Sequence, residues 1–204
     1  MKPIVIKHAK DFIVETIKDQ IMSGELTSDD ELTQEMISKQ TGLSRIPTRE
    51  ALIILEQEGF LKKLPNQRVK VISPSKQNII DYFKILSALE SEMLSIIVML
   101  SGGKKQLRQK IKSFGAIKNC DCDIEFHKFV TKFLDNGYIE NFASKMFNSY
   151  FGYAIENFWM KSVSDAFFTS LKKDLAKDGG YNFKDITDKY YLEYANLLIG
   201  AIIQ

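Results

Sequence analysis

A chain of 204 residues with 45% hydrophobic side chains is long enough for one small and one medium domain, each with its own core. A net charge of +2, with residues 1 to 75 balancing 11 basic against 11 acidic side chains, excludes a bulk basic footprint, so any polyanion must be held by local placement of charge. No apolar run approaches membrane length, the charged N-terminus does not read as a signal peptide, and Cys120 and Cys122 do not make a disulfide framework; a cytoplasmic protein without membrane contact is expected.

In chain order, His8 to Ser23 carries Phe12, Ile13, Ile17 and Ile21 at helical spacing and stops at Gly24, which predicts a packing helix. Leu32 to Gln40 predicts a short amphipathic helix with Leu32, Met36 and Ile37 inward and Thr33 as its cap. Thr41-Gly42-Leu43 then reads as a tight turn into a second helix. Ser44 is its N-cap, and Pro47 falls in the first turn, where a missing N–H costs nothing. Arg45 and Arg49, four residues apart, share one face, while Ala51, Leu52 and Leu55 begin an apolar stripe on another. A guanidinium fork matches the two acceptors on a guanine edge, or a phosphate, and Thr48 can donate to phosphate or touch a thymine methyl. Two short helices so joined make a helix-turn-helix; the competing reading is an ordinary helical hairpin with arginines on its solvated face. Phe60 to Leu64 and Val69 to Ile72 predict two strands around Pro65-Asn66-Gln67-Arg68. Lys62, Lys63, Arg68 and Lys70 lie there without an acidic residue, as suits a surface along phosphates or a lysine-protected edge strand.

This arrangement, and above all the run GLSRIPTREALIILEQEGFLKKLPNQRVKVISP, resembles the N-terminal winged-helix domain of the GntR family of bacterial transcription regulators over about residues 5 to 74. The resemblance implies base contacts from Arg45 and Arg49 and backbone contacts from Ser44 and Thr48. Thr33, Gln34, Arg68 and Lys70 complete the candidate DNA-facing set. Two departures stand out: Glu35 where the family often has a basic residue, and Arg68 at the wing tip where it usually has glycine.

After the Ser73-Pro74-Ser75 joint, residues 76–204 read as helical throughout. Ile79, Ile80, Phe83, Leu86, Leu89, Met93, Leu94 and Ile97 trace an apolar stripe on a helix ending at Gly102-Gly103. Amphipathic segments follow at about 104–117, 121–135, 138–159, 162–177 and 184–203. The expected architecture is mainly α: a winged helix-turn-helix of three helices plus a hairpin (1–74), then an all-α antiparallel bundle (75–204). Of 23 aromatic residues, 21 lie beyond residue 75, enough to line a cavity or to fill a core.

Asp123 and His127, four residues apart, stack on one helix face at a spacing that lets carboxylate and imidazole share a metal. They resemble the Asp-x-x-x-His element of the FadR-type (FCD) ligand domain that follows many GntR winged helices, whose metal-binding members add two later histidines. Aligned on that spacing, those positions fall at Phe168 and Tyr190, with Asp178 between them, and the family's carboxylate-gripping arginine falls at Leu86. A site with two ligands holds a divalent ion weakly. The metal site is therefore expected to be degenerate, Asp123 and His127 persisting as a hydrogen-bonded pair, unless Cys120, Cys122 or Glu125 helps to hold a metal. A small-molecule effector, if one binds, would be more apolar or aromatic than a small metabolic acid.

No enzyme is expected. Gly102-Gly103 and Gly179-Gly180 read as helix ends and not as phosphate loops, and a Cys-His pair would lack an oxyanion hole. The leading reading is a homodimeric, effector-responsive transcription factor, a repressor by resemblance, on a pseudo-palindromic double-stranded operator. Its alternative is a ligand-binding or protein-interaction module whose DNA contact is vestigial.

Overall fold

A computed structural model of the protein describes residues 9–66, 68–114 and 119–202. The chain divides after Ser75 into two compact units. In the first, helix α1 (Ala9–Met22) buries Ile13, Val14, Ile17 and Ile21, the i, i+4 row that its periodicity demands. Phe12, expected inward, lies a third of a turn off that row and is half exposed, and His8 lies outside the described residues.

Leu32 is buried as expected, but in a strand and not a helix. Strand β1 (Glu31–Leu32) pairs with Lys70 and Val69. Helix α2 (Gln34–Thr41) follows, capped by Thr33, whose Oγ1 accepts from the Met36 amide at 3.1 Å. Ile37 is buried, whereas Met36 points to solvent. Gly42 ends α2 at φ +69°, a left-handed conformation that a side chain would resist, and so turns the chain into helix α3 (Arg45–Gln57). Strands β2 (Leu61–Lys63) and β3 (Val69–Val71) form the predicted hairpin, and β1 extends it to a three-stranded antiparallel sheet of order β1-β3-β2. Alternation sets the faces: Leu61, Val69 and Val71 are buried while Lys62, Lys63 and Lys70 are exposed.

The second unit is helical. Its longest helices, α4 (Lys76–Met99) and, at the chain's end, α10 (Phe183–Ile202), pack along each other. Between them run α5 (Gly103–Ser113), α6 (Asp121–Phe133), α7 (Gly137–Met146), α8 (Gly152–Phe158) and α9 (Lys161–Leu175). The predicted end of the 104–117 segment lies outside the described residues.

The segment expected as one helix over 138–159 is broken. A π-helical turn at Phe147–Phe151, with Ser149 at φ −81°, ψ −129°, separates α7 from α8. The cause is a side chain inserted into the helical ladder: the Tyr82 hydroxyl, from α4, donates to the Met146 carbonyl and accepts from the Phe151 amide at 3.2 Å. Among the described residues, no helix is long and apolar enough to cross a membrane.

Candidate functional site

The outer face of α3 is built by burying its inner one. Thr48, Ala51 and Leu55 are the buried residues of this helix. Arg45 and Arg49 are exposed in its first turns, and among the described residues neither guanidinium has an acidic partner. Ser44 occupies the N-cap position in extended geometry, yet its hydroxyl caps no amide and stays exposed, contrary to the capping expectation.

Thr48 is a correction. Its side chain is fully buried: Oγ1 donates to the Ser44 carbonyl at 2.9 Å and accepts from Ser38 Oγ at 3.0 Å, which fastens α3 to α2. A hydroxyl committed inward does not reach phosphate or thymine. The side chain that projects beside the two arginines is Ile46, 74% exposed, which the sequence reading passed over.

Gln34 is likewise engaged within the unit, its Nε2 donating to the Arg45 carbonyl at 2.5 Å, and Thr33 is occupied in capping. On the sheet, Lys70 lies in a cross-strand row between Glu31 and Lys62. Arg68 is exposed and pairs with Glu31 at 3.1 Å.

In the helical unit, Asp123 and His127 are buried on α6 but do not bond each other directly. The Tyr190 hydroxyl stands between them, 2.8 Å from Asp123 Oδ2 and 3.2 Å from His127 Nε2. The other ring nitrogen, Nδ1, lies 2.5 Å from Glu90 Oε1, and Glu90 Oε2 accepts from the Tyr191 hydroxyl at 2.6 Å. Asp123 Oδ2 also accepts from Ser164 Oγ at 2.5 Å, which in turn accepts from Trp159 Nε1 at 2.8 Å. His127 Nε2 thus faces the oxygen of the same hydroxyl that donates to Asp123.

Burial pushes the Asp123 carboxyl above the usual range, against the pull of Ser164, His127 and Tyr190, and its Oδ1 is buried without a partner among the described residues. Burial, then the adjacent carboxylates, drive Tyr190 and Tyr191 well above the ordinary phenol value.

The positions aligned to missing histidines resolve unevenly. Tyr190 does face Asp123 and His127, but on α9 it is Ser164 that reaches Asp123, while Phe168 packs against Phe114 and Phe126. Asp178 is fully exposed, 3.9 Å from Lys104. Leu86 is buried in the core. Among the described residues, no three His, Cys, Asp or Glu side chains converge as metal ligands. Cys120 and Cys122 are half-buried, and burial together with Asp121 pushes the Cys120 thiol up, away from the thiolate that nucleophilic attack requires.

Glu90 was missed, although a carboxylate inside the apolar row of Leu86, Met93, Leu94 and Ile97 was a readable signal. Beside His127 a cavity of about 270 Å³ is walled by Ile124, Phe147, Phe151 and Ile155, with Lys128, Lys132, Glu140 and Glu156 also lining it.

Residues 9–71 match the family described as "Bacterial regulatory proteins, gntR family". A Bacillus subtilis (strain 168) protein described as "Uncharacterized HTH-type transcriptional regulator YdhC" is 26% identical over 138 residues, 61% of this chain, and the match spans 60% of that relative's length. Among solved structures, one described as Lar, which controls the expression of the Listeria monocytogenes agr system, superposes with a TM-score of 0.65 at 15% identity, over 96% of this chain and 97% of its own. One described as E. coli McbR/YncC covers 98% of this chain and 99% of its own at 18% identity, with a TM-score of 0.47. The likeness to Lar is one of fold.

Proposed function

With its N-terminal domain a member of the gntR family of bacterial regulatory proteins, the chain is, we propose, a sequence-specific DNA-binding transcriptional regulator that acts as a homodimer. The observation that carries this reading is the outer face of α3, where Arg45 and Arg49 stand exposed beside Ile46 without an acidic partner among the described residues. Arginines placed so offer bidentate contact to guanine O6 and N7 in a major groove, and Ile46 offers an apolar contact to a thymine methyl. Ser44, Arg68 and Lys70 lie along the phosphates, Arg68 exchanging Glu31 for a phosphate oxygen.

The helical unit holds the two copies together so that two recognition helices meet a pseudo-palindromic duplex. Support comes from α4, which exposes Ile85, Ile96 and Met99 on one face around Glu92, a mostly apolar face that a second copy would cover. The mode is repression by occupying a promoter, in the cytoplasm. The cavity beside His127, walled by aromatic and aliphatic side chains, suits a small amphipathic effector more than a small metabolic acid.

Binding of the operator by Arg45→Ala and Arg49→Ala tests the reading. Each is expected to lose about 1–3 kcal/mol, roughly 5- to 150-fold, of specific affinity while keeping wild-type thermal stability. Wild-type affinity in both variants would refute it.

A further inference from the structure

The strongest unassigned feature is the buried polar cluster that ties four helices of the second unit together: Glu90 on α4, Asp123 and His127 on α6, Ser164 on α9, and Tyr190 with Tyr191 on α10. Carboxylate and imidazole at this spacing on one helix are laid out to share an ion. Yet the point both side chains reach is taken by the Tyr190 hydroxyl, 2.8 Å from Asp123 Oδ2 and 3.2 Å from His127 Nε2.

The donor set does not fit a metal. Both ring nitrogens of His127 already have partners, Nε2 the Tyr190 hydroxyl at 3.2 Å and Nδ1 the Glu90 carboxylate at 2.5 Å. Asp123 Oδ2 already accepts from two hydroxyls, of Ser164 and Tyr190, and its unpartnered Oδ1 has no group of further His, Cys, Asp or Glu ligands converging with it among the described residues. The Tyr190 ring is itself buried, its centroid 4.2 Å from that of Phe167.

We propose that the Tyr190 hydroxyl stands in for a divalent ion between Asp123 and His127, so that this unit closes its polar core with one of its own side chains and folds without metal. Tyr190 then acts as a positioning residue that fixes both α6 groups from α10. An effector whose carboxylate requires a protein-bound metal has no anchor here, whereas one that packs against the His127 side of the cavity does. The inference is independent of the DNA-binding reading, because it is read from metal content and thermal stability alone.

The test uses the full-length protein, incubated with excess zinc or nickel, desalted, and assayed for bound metal and for its thermal midpoint with and without EDTA. Wild type is expected to retain far less than one metal per chain and to melt at the same temperature with EDTA. Tyr190→Phe is expected to melt several degrees lower and still to bind no metal, having lost the bridge. Tyr190→His, which exchanges the bridging hydroxyl for a third ligand, is expected to gain about one metal per chain and a midpoint that rises with metal and falls back with EDTA.

The proposal is overturned by a wild-type protein that holds about one metal per chain and loses stability to EDTA. It is equally overturned by an unchanged midpoint in Tyr190→Phe, or by a folded Tyr190→His that gains no metal. Should Tyr190→His not fold, the wild type and Tyr190→Phe decide the matter.

Discussion

Ile46 and Thr48 sit two residues apart at the start of α3, and helical geometry sends them to opposite fates: one projects into solvent, the other is sealed against α2. The sequence reading gave Thr48 the DNA-facing role because its hydroxyl is chemically suited to phosphate. What overrode that assignment is the demand that a buried hydroxyl be hydrogen-bonded, which Ser38 and the Ser44 carbonyl satisfy. Thr48→Val, which keeps the shape and deletes both bonds, is expected to cost about 1–2 kcal/mol of stability, a drop of several degrees in thermal midpoint. Calorimetry of the purified variant checks this, and an unchanged midpoint would return Thr48 to the surface.

Asp123 gives a second prediction at this scale. Burial raises its pKa in the folded state, so the fold holds the proton more tightly than the unfolded chain does. The associated stability is complete below the unfolded-state pKa and is lost as pH rises through the folded-state value. Asp123→Asn cannot ionise, so its midpoint relative to wild type is expected to improve as pH is raised above 4 and to level off once the folded-state carboxyl of the wild type has ionised. A constant difference between the two proteins across that range would show that Asp123 does not carry the effect.

At the scale of elements, what was legible is what local sequence decides. The onset of α3 follows from Pro47 in its first turn, the end of α2 from Gly42, and the hairpin from two short apolar runs around a turn. What was not legible depends on partners far away in sequence. Strand β1 is two residues long and exists through its pairing with Lys70 and Val69, so no periodicity announces it. The break between α7 and α8 is made by Tyr82, 64 residues before the carbonyl it binds. Within the buried cluster, Asp123 and His127 were visible from their spacing and Glu90 from its place in an apolar row. Tyr190 was marked only by its alignment with a missing histidine, Tyr191 looked like any packing aromatic, and Ser164 gave no signal at all.

The junction of α4 and α5 shows the same dependence. A Cβ on Gly103 would lie 1.8 Å from the Ile97 carbonyl oxygen, so α5 begins flush against the last turns of α4. Gly103→Ala is expected to destabilise by about 1–3 kcal/mol or more, because backbone must move to admit one methyl group. Chemical denaturation would reveal it as a lower midpoint, and a wild-type midpoint would mean that the two helices are not so closely joined.

At the scale of the whole molecule, a winged-helix unit with no bulk positive charge is followed by a helical unit with a buried polar cluster and exposed apolar side chains on α4. With net charge of +2, the proposed DNA contact of a single recognition helix is expected to be weak and salt-dependent, and the proposed pairing of two copies to make it selective. The most direct test is selection of bound duplexes from a random DNA pool by the purified full-length protein at two salt concentrations. The account predicts enrichment of a two-fold symmetric site whose half-sites lie about one helical turn apart, bound more weakly at the higher salt. Absence of any enriched sequence at either salt would contradict it.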